Sequence, residues 1–195
     1  MKKITVYCAS SNNLDVHYYE EAKRIGAHIA NQGWTIIYGA GSAGLMGALA
    51  DAALENNGYV IGVIPHFMKK VEWDHKGIQE LIETEDMAER KKILVRDTDA
   101  VLTLPGGLGT FEELMEILSA RRLGLFTKPV IIYNYRGYYD AMIQMLEKSI
   151  EEKFMGEEYR EAWIEIKNLE ELFPAIENAG TWETFEERFS NQKFK

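Results

Sequence analysis

A chain of 195 residues, 46% hydrophobic and 27% charged, has the make-up of one globular domain with room for a full core. Its net charge of −9 argues against a broad nucleic-acid or anionic-membrane surface. The single cysteine, Cys8, excludes an intrachain disulfide and fits a reducing cytoplasm. No apolar run is long enough to span a bilayer, and residues 1–7 enter a strand pattern directly, without the apolar stretch and cleavage site of a secretory signal.

Residues 4–8 are apolar and β-branched and predict a strand. Residues 16–32 carry Tyr19, Ala22, Ile25 and Ile29 at helical spacing and stop at Gly33, a natural helix-ending residue. A strand at 34–38, a helix at 45–56 stopped by Gly58, and a strand at 59–64 follow. Pro65 is expected to break that strand. Residues 65–85 show no period beyond a short strand at 81–84. Then come a helix at 86–96, a strand at 99–104, a long helix at 110–123, a strand at 129–133, a helix at 138–153, a strand at 163–166 and a helix at 169–177. Residues 1–180 therefore read as one domain. Residues 181–195 read as a C-terminal tail, in which Trp182, Phe185, Phe189 and Phe194 among charges predict docking on this domain or on a second subunit. Between 151 and 195 there are 12 acidic and 6 basic residues, which is a solvated, solubilising surface.

Strands alternating with helices, the strands rich in Val and Ile, predict an α/β fold: a doubly wound, Rossmann-like parallel sheet with helices on both faces. Ligands in such folds bind at the carboxyl ends of the strands, near the point where the strand order reverses. The unusual loops (9–12, 39–47, 65–75 and 105–110) all follow strands, so they converge on one crevice.

Two of those loops are glycine-rich. Gly39-Ala40-Gly41-Ser42-Ala43-Gly44 satisfies G-x-G-x-x-G, but a dinucleotide site needs an acidic residue at the end of the next strand, where Pro65-His66 stands. Neither loop ends in the Gly-Lys-Ser/Thr of an ATP-binding loop. The second, Pro105-Gly106-Gly107-Leu108-Gly109-Thr110, leads into Phe111, Glu112 and Glu113 and predicts two carboxylates in the first turn of a helix. Free N–H groups at a helix start attract phosphate, whereas carboxylates beside it repel it and imply chemistry next to the phosphate. His17, His28, His66 and His75 have no metal-ligand spacing, so no metal site is expected. Arg90 and Lys91 lie in the helix before the 99–104 strand, within reach of a phosphate or carboxylate.

Arg90-Lys91 together with Pro105-Gly106-Gly107-Leu108-Gly109-Thr110-Phe111-Glu112-Glu113 resembles the paired signature of the Lonely Guy (LOG) family, the cytokinin riboside 5′-monophosphate phosphoribohydrolases, many of which carry a "lysine decarboxylase-like" label. The resemblance extends to Val6–Ser11, to the stretch from Gly39 to Gly47 and to Lys128-Pro129-Val130, about residues 4–155 in all. It implies a homodimer that hydrolyses the N-glycosidic bond of a purine nucleoside 5′-monophosphate, AMP or a cytokinin riboside 5′-monophosphate, to base and ribose 5-phosphate, with no cofactor. It also implies Arg90 and Glu113 as the catalytic pair. Nucleotide-binding positions follow at Glu72, Lys91, Gly107, Leu108, Gly109, Thr110, Phe111, Glu112 and Ser119. Ser10 and Gly41, in the two other matching stretches, join them as candidate contacts. Ser119-Ala120-Arg121-Arg122-Leu123-Gly124 stands where plant relatives have Thr-Trp-x-Gln-Leu-Gly, a departure that bears on the base.

The chemistry is coherent on its own terms. Cleaving a sugar–nitrogen bond builds oxocarbenium-like charge on the ribose, which a nearby carboxylate stabilises, while an anchored phosphate orients the sugar. Two other readings compete. A pyridoxal-dependent decarboxylase needs a Schiff-base lysine, and nothing marks Lys91 or Lys92 for that role. A non-catalytic carrier or sensor of a phosphorylated nucleotide-like cofactor suits the glycine loops but has no use for the Arg90 and Glu113 pair.

Overall fold

The computed structural model describes residues 1–70 and 74–189. Seven short, apolar runs become the strands β1 (Lys3–Tyr7), β2 (Thr35–Tyr38), β3 (Val60–Pro65), β4 (Glu80–Thr84), β5 (Ala100–Thr103), β6 (Val130–Tyr133) and β7 (Ile164–Ile166). They form one sheet in the order β4-β3-β2-β1-β5-β6-β7, and every pairing is parallel. The helices are α1 (Val16–Asn31), α2 (Gly44–Glu55), α3 (Met87–Arg96), α4 (Leu108–Arg122), α5 (Asp140–Glu151) and α6 (Leu172–Glu177), with a short α7 (Phe185–Phe189) at the end of the described chain.

The strands are apolar on both faces because both faces are covered. Ile4 and Val6 of β1, Ala100 and Leu102 of β5, and Ile131 and Tyr133 of β6 pack into one core with Ile25 of α1, Leu49 of α2 and Leu172 of α6. The intervening Tyr7, Val101, Val130 and Ile132 enter a second core with Leu94 of α3, Leu114 and Ile117 of α4 and Ile150 of α5. Each Val, Leu or Ile among them contributes about 1.5–3 kcal/mol when fully buried, so neither helix layer is dispensable.

The order of the sheet reverses between β1 and β5. The chain winds outward from β1 to β4, then crosses back to add β5, β6 and β7 on the other side. The loops after β1, β2, β3 and β5 all open at the same sheet edge, and the β1/β5 junction is the crevice expected from the strand pattern.

Two local expectations need correction, and a third, left open between two partners, is decided. Pro65 does not break β3 but is its last residue, paired with Thr84. Its missing N–H costs nothing there, because the pairing of β3 with β2 ends at Gly62. Helix α4 starts at Leu108, with Gly107 as its N-cap, so its first turn carries no acidic residue and Glu112 and Glu113 fall in the second turn. The described part of the tail docks on its own domain. The Trp182 indole N–H donates to the Arg121 carbonyl, the Arg121 guanidinium stacks 4.5 Å from the Trp182 ring, and Phe185 N–H donates to Gly124 O. Phe194 lies outside the described residues.

Candidate active site

At the β1/β5 junction lies a cavity of about 330 Å³, at the small end of the range for ligand sites. Its lining comes from four places: the loop after β1 (Cys8, Ala9, Ser10, Ser11), α2 (Met46), the region from β3 to α3 (Met68, Met87, Arg90), and the start of α4 (Gly107, Leu108, Gly109, Thr110, Glu112, Glu113).

The two glycine loops serve it differently. At the start of α2, the orphan N–H groups are used inside the protein. Gly44 N–H donates to Asn12 Oδ1 at 3.0 Å, and those of Leu45 and Met46 donate to Ala9 O at 2.9 and 3.3 Å. Gly44 has φ +62°, and a Cβ there would stand 2.5–2.8 Å from the backbone of Ala9, Ser10 and Ser11. This turn is a packing joint. Gly41 takes no place in the cavity wall; a Cβ on it would meet the Met46 sulfur at 2.9 Å, so its bareness seats Met46, which does line the wall.

At the start of α4 the N–H groups are left open. The first helical donor is Phe111, whose N–H bonds Gly107 O at 2.9 Å, and among the described residues those of Leu108, Gly109 and Thr110 meet no acceptor. The loop is braced from behind: Tyr138 Oη donates to Gly106 O and Tyr139 Oη to Leu104 O, each at 2.7 Å. A Cβ on Gly106 would collide with the Thr110 side chain at 2.1–2.8 Å, which fixes why the turn is bare there. Gly107 and Gly109 have nothing within 4 Å of a Cβ, so their bareness leaves open space at the helix start instead. A rigid helix N-terminus with open N–H groups is an anion site.

Arg90 is placed by the start of α3. Asp86 caps the helix by accepting from Glu89 N–H at 2.8 Å, and Glu89 reaches back to Glu85 N–H at 2.8 Å. One turn on, Arg90 runs inward and is only 4% exposed. Its Nε donates to Val63 O and its Nη2 to Gly39 O, both at 3.1 Å. The third nitrogen, Nη1, faces the sulfurs of Met87 and Met68 at 3.8 and 4.0 Å. The guanidinium is thus held in place by two carbonyls where it lines the cavity. Gly39 is part of that cradle, since a Cβ on it would stand 2.3 Å from Nη2.

Glu113 is 8% exposed and lines the cavity from the second turn of α4. Its charge is felt by its neighbours. Burial first, and Glu113 second, push the Tyr7 phenol and the Cys8 thiol well above their ordinary values. Cys8 is therefore a neutral wall residue with no nucleophilic character at neutral pH.

The structure brings Ser10, Arg90, Gly107, Leu108, Gly109, Thr110, Glu112 and Glu113 to one cavity. It does not bring Phe111 there, which packs edge-on to Tyr139. Ser119 lies on the exposed face of α4, about two turns beyond the cavity-lining Glu112 and Glu113. Lys91 points to α4, where its Nζ lies 2.5 Å from both Glu112 Oε1 and Glu116 Oε2. Glu72 lies outside the described residues. The sequence pattern missed Met46, Met68 and Met87. Their one signal is position: Met46 follows a glycine loop directly and Met87 stands three residues before Arg90, on the same helix face.

The family described as "Possible lysine decarboxylase" matches residues 46–176. A probable cytokinin riboside 5′-monophosphate phosphoribohydrolase of Arabidopsis thaliana, LOG6, is 36% identical over 176 residues, which is 90% of this chain and 88% of that protein. The Arabidopsis enzyme LOG2, of the same activity, is 33% identical over 176 residues, 90% of this chain and 83% of that one. The solved molybdenum cofactor carrier protein of Chlamydomonas reinhardtii superposes with a TM-score of 0.69, covering 91% of this chain and 97% of its own; at 19% identity it shows a shared fold.

Proposed function

Because this chain belongs to the Lonely Guy (LOG) family, we propose that it is a nucleoside 5′-monophosphate phosphoribohydrolase, acting on AMP or a cytokinin riboside 5′-monophosphate. The observation that carries the reading is one cavity with open N–H groups at the start of α4 at one side and Glu113 and Arg90 at another. The 5′-phosphate sits on the N–H groups of Leu108, Gly109 and Thr110, with Ser10 across from them. This anchors the substrate far from the bond that breaks and uses that binding to orient the sugar.

The C1′–N9 bond breaks with its electron pair leaving on the base, and positive charge develops on the ribose. Glu113 faces that charge and takes a proton from the attacking water as its oxygen bonds to C1′. The departing base takes up a proton, so base and ribose 5-phosphate are the products, and no cofactor enters the balance. Arg90, its orientation fixed by Val63 and Gly39, supplies a positive charge to the leaving base or to the phosphate. Met46, Met68 and Met87 offer the base a polarizable, adaptable wall. A passive carrier on this fold has no need of the Glu113 and Arg90 pair, which favours hydrolysis.

We further take residues 1–180 as the nucleotide-binding domain with 181–195 as its tail, the protein as cytoplasmic, and its functional unit as a homodimer. Among the described residues, no helix is long and apolar enough to cross a membrane. Two observations support the dimer: Leu108 is 87% exposed on α4, and Ser119, which the family likeness ties to the nucleotide, lies on the exposed face of the same helix. Glu72 keeps its proposed nucleotide contact on the family likeness alone.

The test is incubation with a panel of purine 5′-monophosphates, reading liberated base and ribose 5-phosphate. AMP or its N6-substituted analogue is expected to release base. Glu113→Gln is expected to lower the rate about 10³-fold with the fold intact. Base release at equal rates by wild type and Glu113→Gln overturns the assignment.

A further inference from the structure

The family likeness makes Lys91 a nucleotide contact, yet its ammonium is engaged elsewhere. Its Nζ bridges Glu112 and Glu116, 2.5 Å from each, and it is 20% exposed. Those two hydrogen bonds, that of Glu112 first, hold the Lys91 ammonium above its usual range. Glu112 and Glu116 are four residues apart and share one face of α4.

We propose that Lys91 is a positioning residue: it ties the Glu112 and Glu116 carboxylates to α3 and so keeps Glu112 off the open N-terminus of α4, where the nucleotide phosphate docks. The proposal rests on the nucleotide reading of the cavity. Helical side chains lean toward the N-terminus of their helix, so an untethered Glu112 carboxylate is carried toward Leu108 and Gly109, four and three residues back. Those residues hold the open N–H groups, and a carboxylate is a favoured occupant of a helix N-terminus. Glu112 already lines the cavity, so the move is short. Without Lys91 the protein thus supplies its own competing anion. Neighbouring cations on α3 divide the work: Arg90 turns inward to carbonyls and faces the cavity, and Lys91 turns to α4 and restrains its carboxylates.

The experiment is a double-mutant cycle on ribose 5-phosphate binding, measured by calorimetry on the full chain at fixed pH and salt. Lys91→Met is expected to weaken binding about tenfold in the wild-type background. In a Glu112→Gln background, where the competing carboxylate is gone, the same substitution is expected to cost less than threefold. Lys91→Arg is expected to stay within threefold of wild type, and any loss of turnover is expected in KM more than in kcat. If Lys91→Met costs the same factor in both backgrounds, Lys91 acts on the phosphate directly or as a simple through-space charge, and the proposal is overturned. Should Lys91→Met fail to fold, Lys91→Gln carries the same cycle. A normal cycle with no base release from any nucleotide refutes hydrolysis and leaves the role of Lys91 standing. An additive cycle in a working hydrolase refutes that role alone. If wild type does not bind ribose 5-phosphate at all, both fall.

Discussion

The two glycine-rich turns of this protein sit at the same sheet edge, follow the two strands that flank β1 and each open a helix, yet they do opposite things. The turn before α2 spends its N–H groups on Asn12 and Ala9, and its glycines exist because backbone and the Arg90 and Met46 side chains press against them. The turn before α4 keeps its N–H groups open, and two of its glycines face empty space. Glycine spacing alone therefore does not identify a phosphate loop. What identifies one is whether the N–H groups it exposes already have acceptors.

That contrast is open to substitution. The largest effect is expected at Gly44, whose positive φ and close backbone neighbours leave no place for a methyl group. Gly44→Ala should lose about 3 kcal/mol of stability, seen as a fall in Tm of about 6–12 °C. A Tm within 2 °C of wild type would mean that the α2 turn is no packing joint. Next comes Gly39→Ala, which meets the end of a flexible side chain, Arg90 Nη2, rather than backbone. Here the fold should survive while base release drops about a hundredfold, or about 2.7 kcal/mol in barrier. Normal turnover in that variant would detach Arg90 from the chemistry.

The loop at α4 should respond in the opposite sense. Gly109→Ala has open space around its Cβ and sits in a helix, so stability should rise by about 0.5–1 kcal/mol. Ribose 5-phosphate affinity should nevertheless fall about tenfold, because the methyl group projects where the ligand sits; calorimetry and a melting curve on one sample check both halves. The smallest effect is expected at Cys8, between the two turns. Buried, and with its thiol pushed up by burial and by Glu113, it should resist iodoacetamide at pH 8 in the native protein and react only on unfolding. Rapid labelling with loss of activity would show a thiolate in the wall.

Much of this was legible in the residues. Val- and Ile-rich runs between helical periods give a parallel sheet, and a parallel sheet forces every loop after a strand to one edge, which gathers Ser10, Arg90, Gly107–Thr110, Glu112 and Glu113. Other features were hidden for physical reasons. Gly109 is a poor helix former, so the propensity pattern starts α4 at Thr110 instead of Leu108 and places Glu112 and Glu113 in the first turn instead of the second. Met46, Met68 and Met87 look like core side chains, because a cavity wall and a core use the same apolar residues. The Lys91 bridge joins residues 21 and 25 positions apart on two different helices, and no local pattern reports such a pairing.

The central claim is that the α4 turn moors a 5′-phosphate beside Glu113. Its most direct measurement is kcat/KM for adenine release from AMP and from adenosine in parallel. The mooring predicts that AMP is favoured by a factor of about 10³ or more, since adenosine lacks the group that the open N–H groups hold. Equal rates for the two, or release from neither AMP nor any other 5′-monophosphate, would contradict it.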